Sequence, residues 1–228
     1  MLCTDLALVK VSARVRVAKP LSCRSWHCPE CRPGRHRQLL AQGFAGLPNR
    51  FITLTSNPAQ PGGVAIRAQA LAHAWRLIVK RLRRAHPRSE LAYLAVFEKT
   101  QKGEPHLHIL YRGPWIPQAW LSAAMDELTH SPIVDIRHVD DSQKAVRYVA
   151  KYVGKDPERF LGCKRYWSSR NWCESRPPPV PMDPLPSIPW TLTPVSYYQL
   201  LARWSTEGWT PVPFGDKMAV AYPHNRQL

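Results

Sequence analysis

Leu91-Ala-Tyr-Leu-Ala-Val-Phe-Glu98-Lys99 and His106-Leu-His108-Ile-Leu-Tyr-Arg112 decide how this chain is read. Between them stands Gln101–Pro105, a turn sequence containing Gly103. Two short apolar runs around such a turn predict a β-hairpin. On the returning strand, His106 and His108 are two residues apart and project from one face, while Leu107 and Ile109 face the other way. A hairpin centred near Lys102 sets Glu98 opposite His106, with cross-strand Cβ atoms about 5 Å apart. One carboxylate and two imidazoles then converge and leave open positions for water or a phosphate oxygen. That mixed donor set suits Mn²⁺ or Mg²⁺, without excluding Zn²⁺.

Outward from the hairpin, the pattern continues. Phe51-Ile-Thr-Leu-Thr55 is a strand, closed by the turn signal Asn57-Pro58. Gly62-Gly63 opens a helix over Val64–His86, in which Leu71, Trp75, Ile78, Val79 and Leu82 recur at three- and four-residue spacing. Its end, Lys80-Arg-Leu-Arg-Arg84, suits the negative helix terminus or a phosphate backbone. Pro117–His130 reads as a helix with Pro in its first turn. Ile133–Val139 is a strand, and Ser142 is expected to cap a last helix running to Lys155. The order β-α-β-β-α-β-α is a split βαβ, ferredoxin-like arrangement, so the expected class is α+β with helices packed on an antiparallel sheet.

The last helix carries Tyr148-Val-Ala-Lys151-Tyr152-Val-Gly-Lys155. At about 100° per residue, Tyr148, Lys151, Tyr152 and Lys155 share one arc, and Val146, Val149, Ala150 and Val153 take the adjacent one. One face is thus built to pack and the other to present two phenols and two ammonium groups. A phenol ionises near pH ~10 and needs nearby positive charge to act as a nucleophile. Tyr93 and Tyr111 are other tyrosines of the region but lack flanking lysines.

Taken in order, Phe51–Thr55, Gly103-Glu-Pro-His106-Leu-His108 and Tyr148–Lys155 resemble the three motifs of rolling-circle replication initiators of the HUH endonuclease class. The paired tyrosines are similar to those in replication proteins of single-stranded DNA phages. Glu98–His108 resembles the circular-virus initiators, in which a glutamate joins the histidines as ligand. The resemblance covers residues 48–157 and implies an RRM-like HUH fold. It further implies a metal at Glu98, His106 and His108, attack by Tyr148 or Tyr152, and charge stabilisation by Lys151 and Lys155. The implied reaction nicks single-stranded DNA at an origin, leaving a 5′-phosphotyrosine and a free 3′-OH, and later rejoins it. A transposase or relaxase of the same chemistry, or a non-catalytic zinc-containing DNA-binding protein, are the alternatives.

Cys23-x4-Cys28-x2-Cys31 supplies three thiols for a structural zinc site; Cys3 is the candidate fourth, with His27 and His36 as alternatives. Similar clusters, followed by a basic helix like Arg32–Leu40, precede the nickase domain of some phage and plasmid initiators. Composition suggests a zinc-binding module at 1–45, the endonuclease domain at 46–160 and a Trp- and Pro-rich tail at 161–228. Eight of the nineteen residues from Arg176 to Pro194 are proline, which reads as an extended linker. Thirty-two Lys and Arg against sixteen Asp and Glu give a formal charge of +16, suited to a polyanionic partner. No run approaches the ~18–20 apolar residues of a membrane span, and the N-terminus lacks a signal-peptide pattern. A cytoplasmic site in a bacterial host, with a phage- or plasmid-encoded gene, is the expectation. No Gly-x4-Gly-Lys-Ser/Thr loop occurs, so a host helicase and polymerase are the expected partners.

Overall fold

A computed structural model describes residues 3–155, 160–173, 184–214 and 218–224, with side chains at 4 and 152–155 excluded. After a 3₁₀ turn at Cys3–Asp5, the elements are β1 (Ala7–Val11), β2 (Arg16–Pro20), α1 (Cys31–Ala45), β3 (Arg50–Thr55), α2 (Gly63–Ala85) and β4 (Ala92–Lys99). They continue with β5 (Pro105–Arg112), α3 (Gln118–Thr129), β6 (Val134–His138), α4 (Ser142–Lys155), β7 (Tyr166–Ser168) and β8 (Thr191–Thr193). The last are α5 (Tyr197–Thr206), β9 (Trp209–Phe214) and β10 (Met218–Pro223). The chain forms two compact units, one of residues 36–175 and one of residues 1–35 with 176–228.

In the larger unit the sheet order is β6-β3-β5-β4-β7, with every neighbour antiparallel. β3 and β4 flank β5, which is the split βαβ order expected from the sequence. Both sheet faces are covered, and for that reason β4 is buried over six consecutive positions instead of alternating. On one face Ile52, Leu54, Tyr93, Ala95, Phe97, Leu107, Ile109 and Tyr111 pack with Leu71, Trp75, Ile78 and Val79 of α2 and with Leu121 and Met125 of α3. On the other, α4 lies against β4 and β5 and buries Val146, Val149 and Ala150. A Cβ on Gly43 of α1 would come within 2.4 Å of Val146, so only glycine permits this approach to α4.

Several local expectations change at their edges. Asp141, not Ser142, caps α4: its carboxylate accepts the backbone N–H groups of Gln143 and Lys144 at 2.9 and 3.1 Å. A carboxylate at that place also suits the positive helix terminus. Pro117 precedes α3 in extended conformation, without entering its first turn.

The boundaries drawn by packing also differ from those drawn by composition. Residues 161–173, grouped by composition with the tail, belong to the larger unit: β7 extends its sheet along β4, and buried Trp172 donates its indole N–H to the Gln42 carbonyl at 2.9 Å. In the smaller unit the sheet order is β8-β1-β2-β10-β9. Leu200 and Trp204 of α5 pack on Ala7, Ala18 and Ala221, and Ser196 with Gln199 forms a capping box at the start of α5. Of the proline-rich stretch, residues 174–183 lie outside the described residues, and β8 is a three-residue edge strand. The edge strand β9 is Trp-Thr-Pro-Val-Pro-Phe. Pro211 and Pro213 are tolerated there because alternate residues of an edge strand direct their backbone away from the sheet.

Trp75 anchors the larger core, fully buried and edge-on to Tyr93 and Tyr111 with centroids 5.4 and 6.4 Å away. Trp75→Ala should cost about 3–5 kcal/mol of unfolding free energy, read as a fall in the urea midpoint at unchanged slope.

Candidate functional site: a carboxylate–histidine cluster under a tyrosine helix

The β4–β5 turn is closed by the Gly103 N–H donating to the Thr100 carbonyl, and Gly103 has φ +83°, a conformation natural to glycine. Glu104 is gripped by Arg67 of α2 through two bonds of 2.8 and 2.6 Å, and this guanidinium holds its carboxyl below the usual range. With the turn so fixed, Glu98 pairs with His106, and Val96 with His108. The ligand atoms of Glu98, His106 and His108 all lie within 4.8 Å of one another. His108 Nε2 contacts a Glu98 carboxylate oxygen directly. Its Nδ1 lies 3.1 Å from Thr53 Oγ1. An Nδ1–H donating to that hydroxyl leaves the Nε2 lone pair aimed at the cluster, the usual way an outer partner fixes a ligand's tautomer. Burial, reinforced by His108, lowers the pKa of His106 and so favours the neutral, ligating imidazole.

β3 supplies a second wall. Phe51 stacks on His108 with centroids 5.4 Å apart and planes 17° apart. Tyr148 of α4 stands edge-on to both, 5.9 Å from His108 and 5.6 Å from Phe51, and is 46 % exposed. Its phenol is therefore open to a ligand at the cluster. Lys151 is exposed one turn along. Tyr152 and Lys155 belong to the same helix, but their side chains lie outside the described residues. Tyr93 and Tyr111 are a cross-strand pair on the opposite sheet face, buried in the core. The Tyr111 hydroxyl donates to the Pro114 carbonyl, and burial raises its pKa.

From the sequence, Phe51 and Thr53 are only strand residues. Their part in the site follows from alternation, which puts 51, 53 and 55 on one face, combined with the β3–β5 register Thr53↔His108. Asp135 and Arg137 share this face across the β3–β6 pair and bond each other at 2.7 Å.

In the smaller unit, the thiols of Cys3, Cys23, Cys28 and Cys31 lie within 4.8 Å of one another. Neither His27 nor His36 belongs to this cluster. Hydrogen bonds to sulfur are already in place: the Cys23 N–H donates to Cys3 at 3.2 Å and the Ser25 N–H to Cys23 at 3.4 Å. Burial opposes ionisation of Cys31, but hydrogen bonds from Ser22, the Arg24 backbone, Cys23 and Cys28 outweigh it and bring its pKa to about 6. Cys3, hydrogen-bonded with Cys23, is pushed up to about 12. Four converging sulfurs of this kind fit a tetrahedral zinc ion. Cys163 and Cys173 stand apart as free, partly buried thiols.

No helix among the described residues is long and apolar enough to cross a membrane. No curated protein and no solved structure matches the chain significantly. Residues 49–157, the span that carries the carboxylate–histidine cluster and the tyrosine helix, match the family model of the replication-associated proteins that joins ORF2 with the gene-2 protein, and this similarity supports a role in replication initiation.

Proposed function

We propose that this chain is a replication initiator of the HUH type, which nicks and rejoins single-stranded DNA at an origin during rolling-circle replication. The observation that carries this reading is the convergence of Glu98, His106 and His108 within 4.8 Å, with the open phenol of Tyr148 beside them. Together with one carboxylate and neutral imidazoles, this makes a site for Mn²⁺ or Mg²⁺. The ion would supply Lewis-acid polarisation of the scissile phosphate and a template for its orientation. Thr53 and Phe51 hold the His108 ring in the plane that ligation requires.

Tyr148 attacks phosphorus in line with the bond to the 3′-oxygen. As the Tyr–O–P bond forms, the P–O3′ bond breaks; the phenol gives up its proton and the 3′-oxygen takes one up. The products are a 5′-phosphotyrosine and a free 3′-OH able to serve a polymerase. In rejoining, a 3′-OH attacks the same phosphorus and the phenol leaves. Tyr152, one turn further along the helix, is assigned the second strand transfer. Lys151 and Lys155 offset charge on the phosphate and the departing oxygen. Zn²⁺ is assigned to Cys3, Cys23, Cys28 and Cys31 as a structural ion, separate from the chemistry.

With Mn²⁺ and a labelled origin strand, the chain should form a covalent DNA adduct that resists denaturant. Tyr148→Phe/Tyr152→Phe, which removes only hydroxyls, and His106→Ala/His108→Ala should each abolish the adduct while leaving single-strand binding largely intact. An adduct persisting in either double variant, or mapping by peptide sequencing to Tyr93 or Tyr111, would sink the mechanism. Thr53→Val should weaken Mn²⁺ binding about 10- to 100-fold, as titration calorimetry would register. Purified protein should hold close to one zinc, and its chelation should expose the N-terminal region to protease; zinc-free protein that is folded and active would remove that assignment.

A further inference from the structure

The basic end of α2 carries two readings in the sequence, and the structure separates its arginines. Arg81 is spent within the fold: both of its terminal nitrogens bond Glu127 of α3, at 2.8 and 2.6 Å. Arg83 instead lines an open cavity of about 700 Å³, together with His86, Ser168, Ser169, Arg170 and Glu90. Among the described residues neither Arg83 nor Arg170 takes part in an ion pair. The one carboxylate of this set, Glu90, is already held by Arg112 at 2.5 Å. The wall carrying Arg170 is firmly tied. Ser169 exchanges two hydrogen bonds with the backbone of Tyr93, and Asn171 donates to the Leu91 carbonyl at 3.1 Å. Two arginines held on separate elements around one concavity, with its carboxylate neutralised, make a site for phosphate.

The geometry points to a second DNA-binding site in this cavity, one that takes the phosphate backbone of the strand flanking the nick. It rests on the nicking reading for the nature of its ligand. Tyr93, at the cavity, and Glu98, at the cluster, are five residues apart on one strand, or about 17 Å. A nucleic-acid strand in helical geometry rises about 3.4 Å per nucleotide, so the cavity would grip DNA roughly five nucleotides from the scissile phosphate. Arg83 and Arg170 thereby hold the flank while the cluster holds the reacting bond.

The test is the salt dependence of binding by the full chain, measured by fluorescence anisotropy with labelled dT30 and with a 30-base-pair duplex, both without divalent ion. Arg83→Gln/Arg170→Gln should make the slope of log affinity against log salt shallower, by about 1.4 for a single strand or about 1.8 for a duplex. Arg81→Gln, whose guanidinium is occupied by Glu127, should leave the slope nearly unchanged. A loss with dT30 alone identifies a single-stranded flank, and a loss with the duplex alone identifies a paired one. An unchanged slope on both probes, or an equal loss in Arg81→Gln, overturns the site. All these side chains are partly or fully exposed, so an unaltered melting temperature checks that the variants fold. Because no divalent ion is present, the outcome does not depend on cleavage. A wild-type chain that never forms an adduct but shows the slope difference would remove the nickase reading and leave the cavity standing.

Discussion

The pairing of Glu98 with His106 across the β4–β5 hairpin is the constraint on which everything else in the larger unit depends. Side chains alternate along a strand with period two, so slipping one strand by a single residue would turn both histidines into the apolar core and Leu107 outward. The register is protected from both ends. Gly103 and the Arg67–Glu104 ion pair fix the turn, and the burial of Leu107, Ile109 and Tyr111 beneath α2 makes a slipped pairing costly. A polar cluster is thus positioned by the apolar residues that alternate with it.

The covered second face of the sheet has a chemical purpose as well as a packing one. An antiparallel sheet commonly leaves one face to solvent, but here α4 crosses it and brings Tyr148 to the rings of His108 and Phe51. The buried stripe Val146, Val149, Ala150 sets the rotation of that helix, and the close approach at Gly43 sets its depth. Placement of the phenol is thereby assigned to rigid secondary structure and not to a loop, which suits a group that must meet a phosphate in line.

How much of this was legible depended on the range of the interactions. The hairpin, the facing of His106 and His108 and the approach of Glu98 were legible because a turn and a two-residue period are local. The cap of α4 was misplaced by one residue, since Asp141 and Ser142 are both good caps and only hydrogen-bond geometry separates them. Thr53 was invisible as a partner of His108 because the two are 55 positions apart and meet only through the β3–β5 register. The smaller sheet was missed for a related reason. Its strands are short, two prolines interrupt β9, and its partners come from opposite ends of the chain, so no window of sequence contains the pattern.

That last topology has a consequence for how the protein is made. β2 pairs with β10 through Ala18 and Ala219, roughly 200 positions apart in sequence, whereas the larger unit is one continuous stretch. On a ribosome adding about 5–20 residues per second, β1 and β2 emerge roughly 10–40 s before the strand that completes their sheet. Alone they are a two-stranded hairpin, which is marginal in water. The larger unit is therefore free to fold while the N-terminal strands still wait, and a nascent chain stalled before β10 would carry one finished sheet and one unfinished. Maturation would then end with the closing of the smaller unit, last in synthesis although half of it was made first.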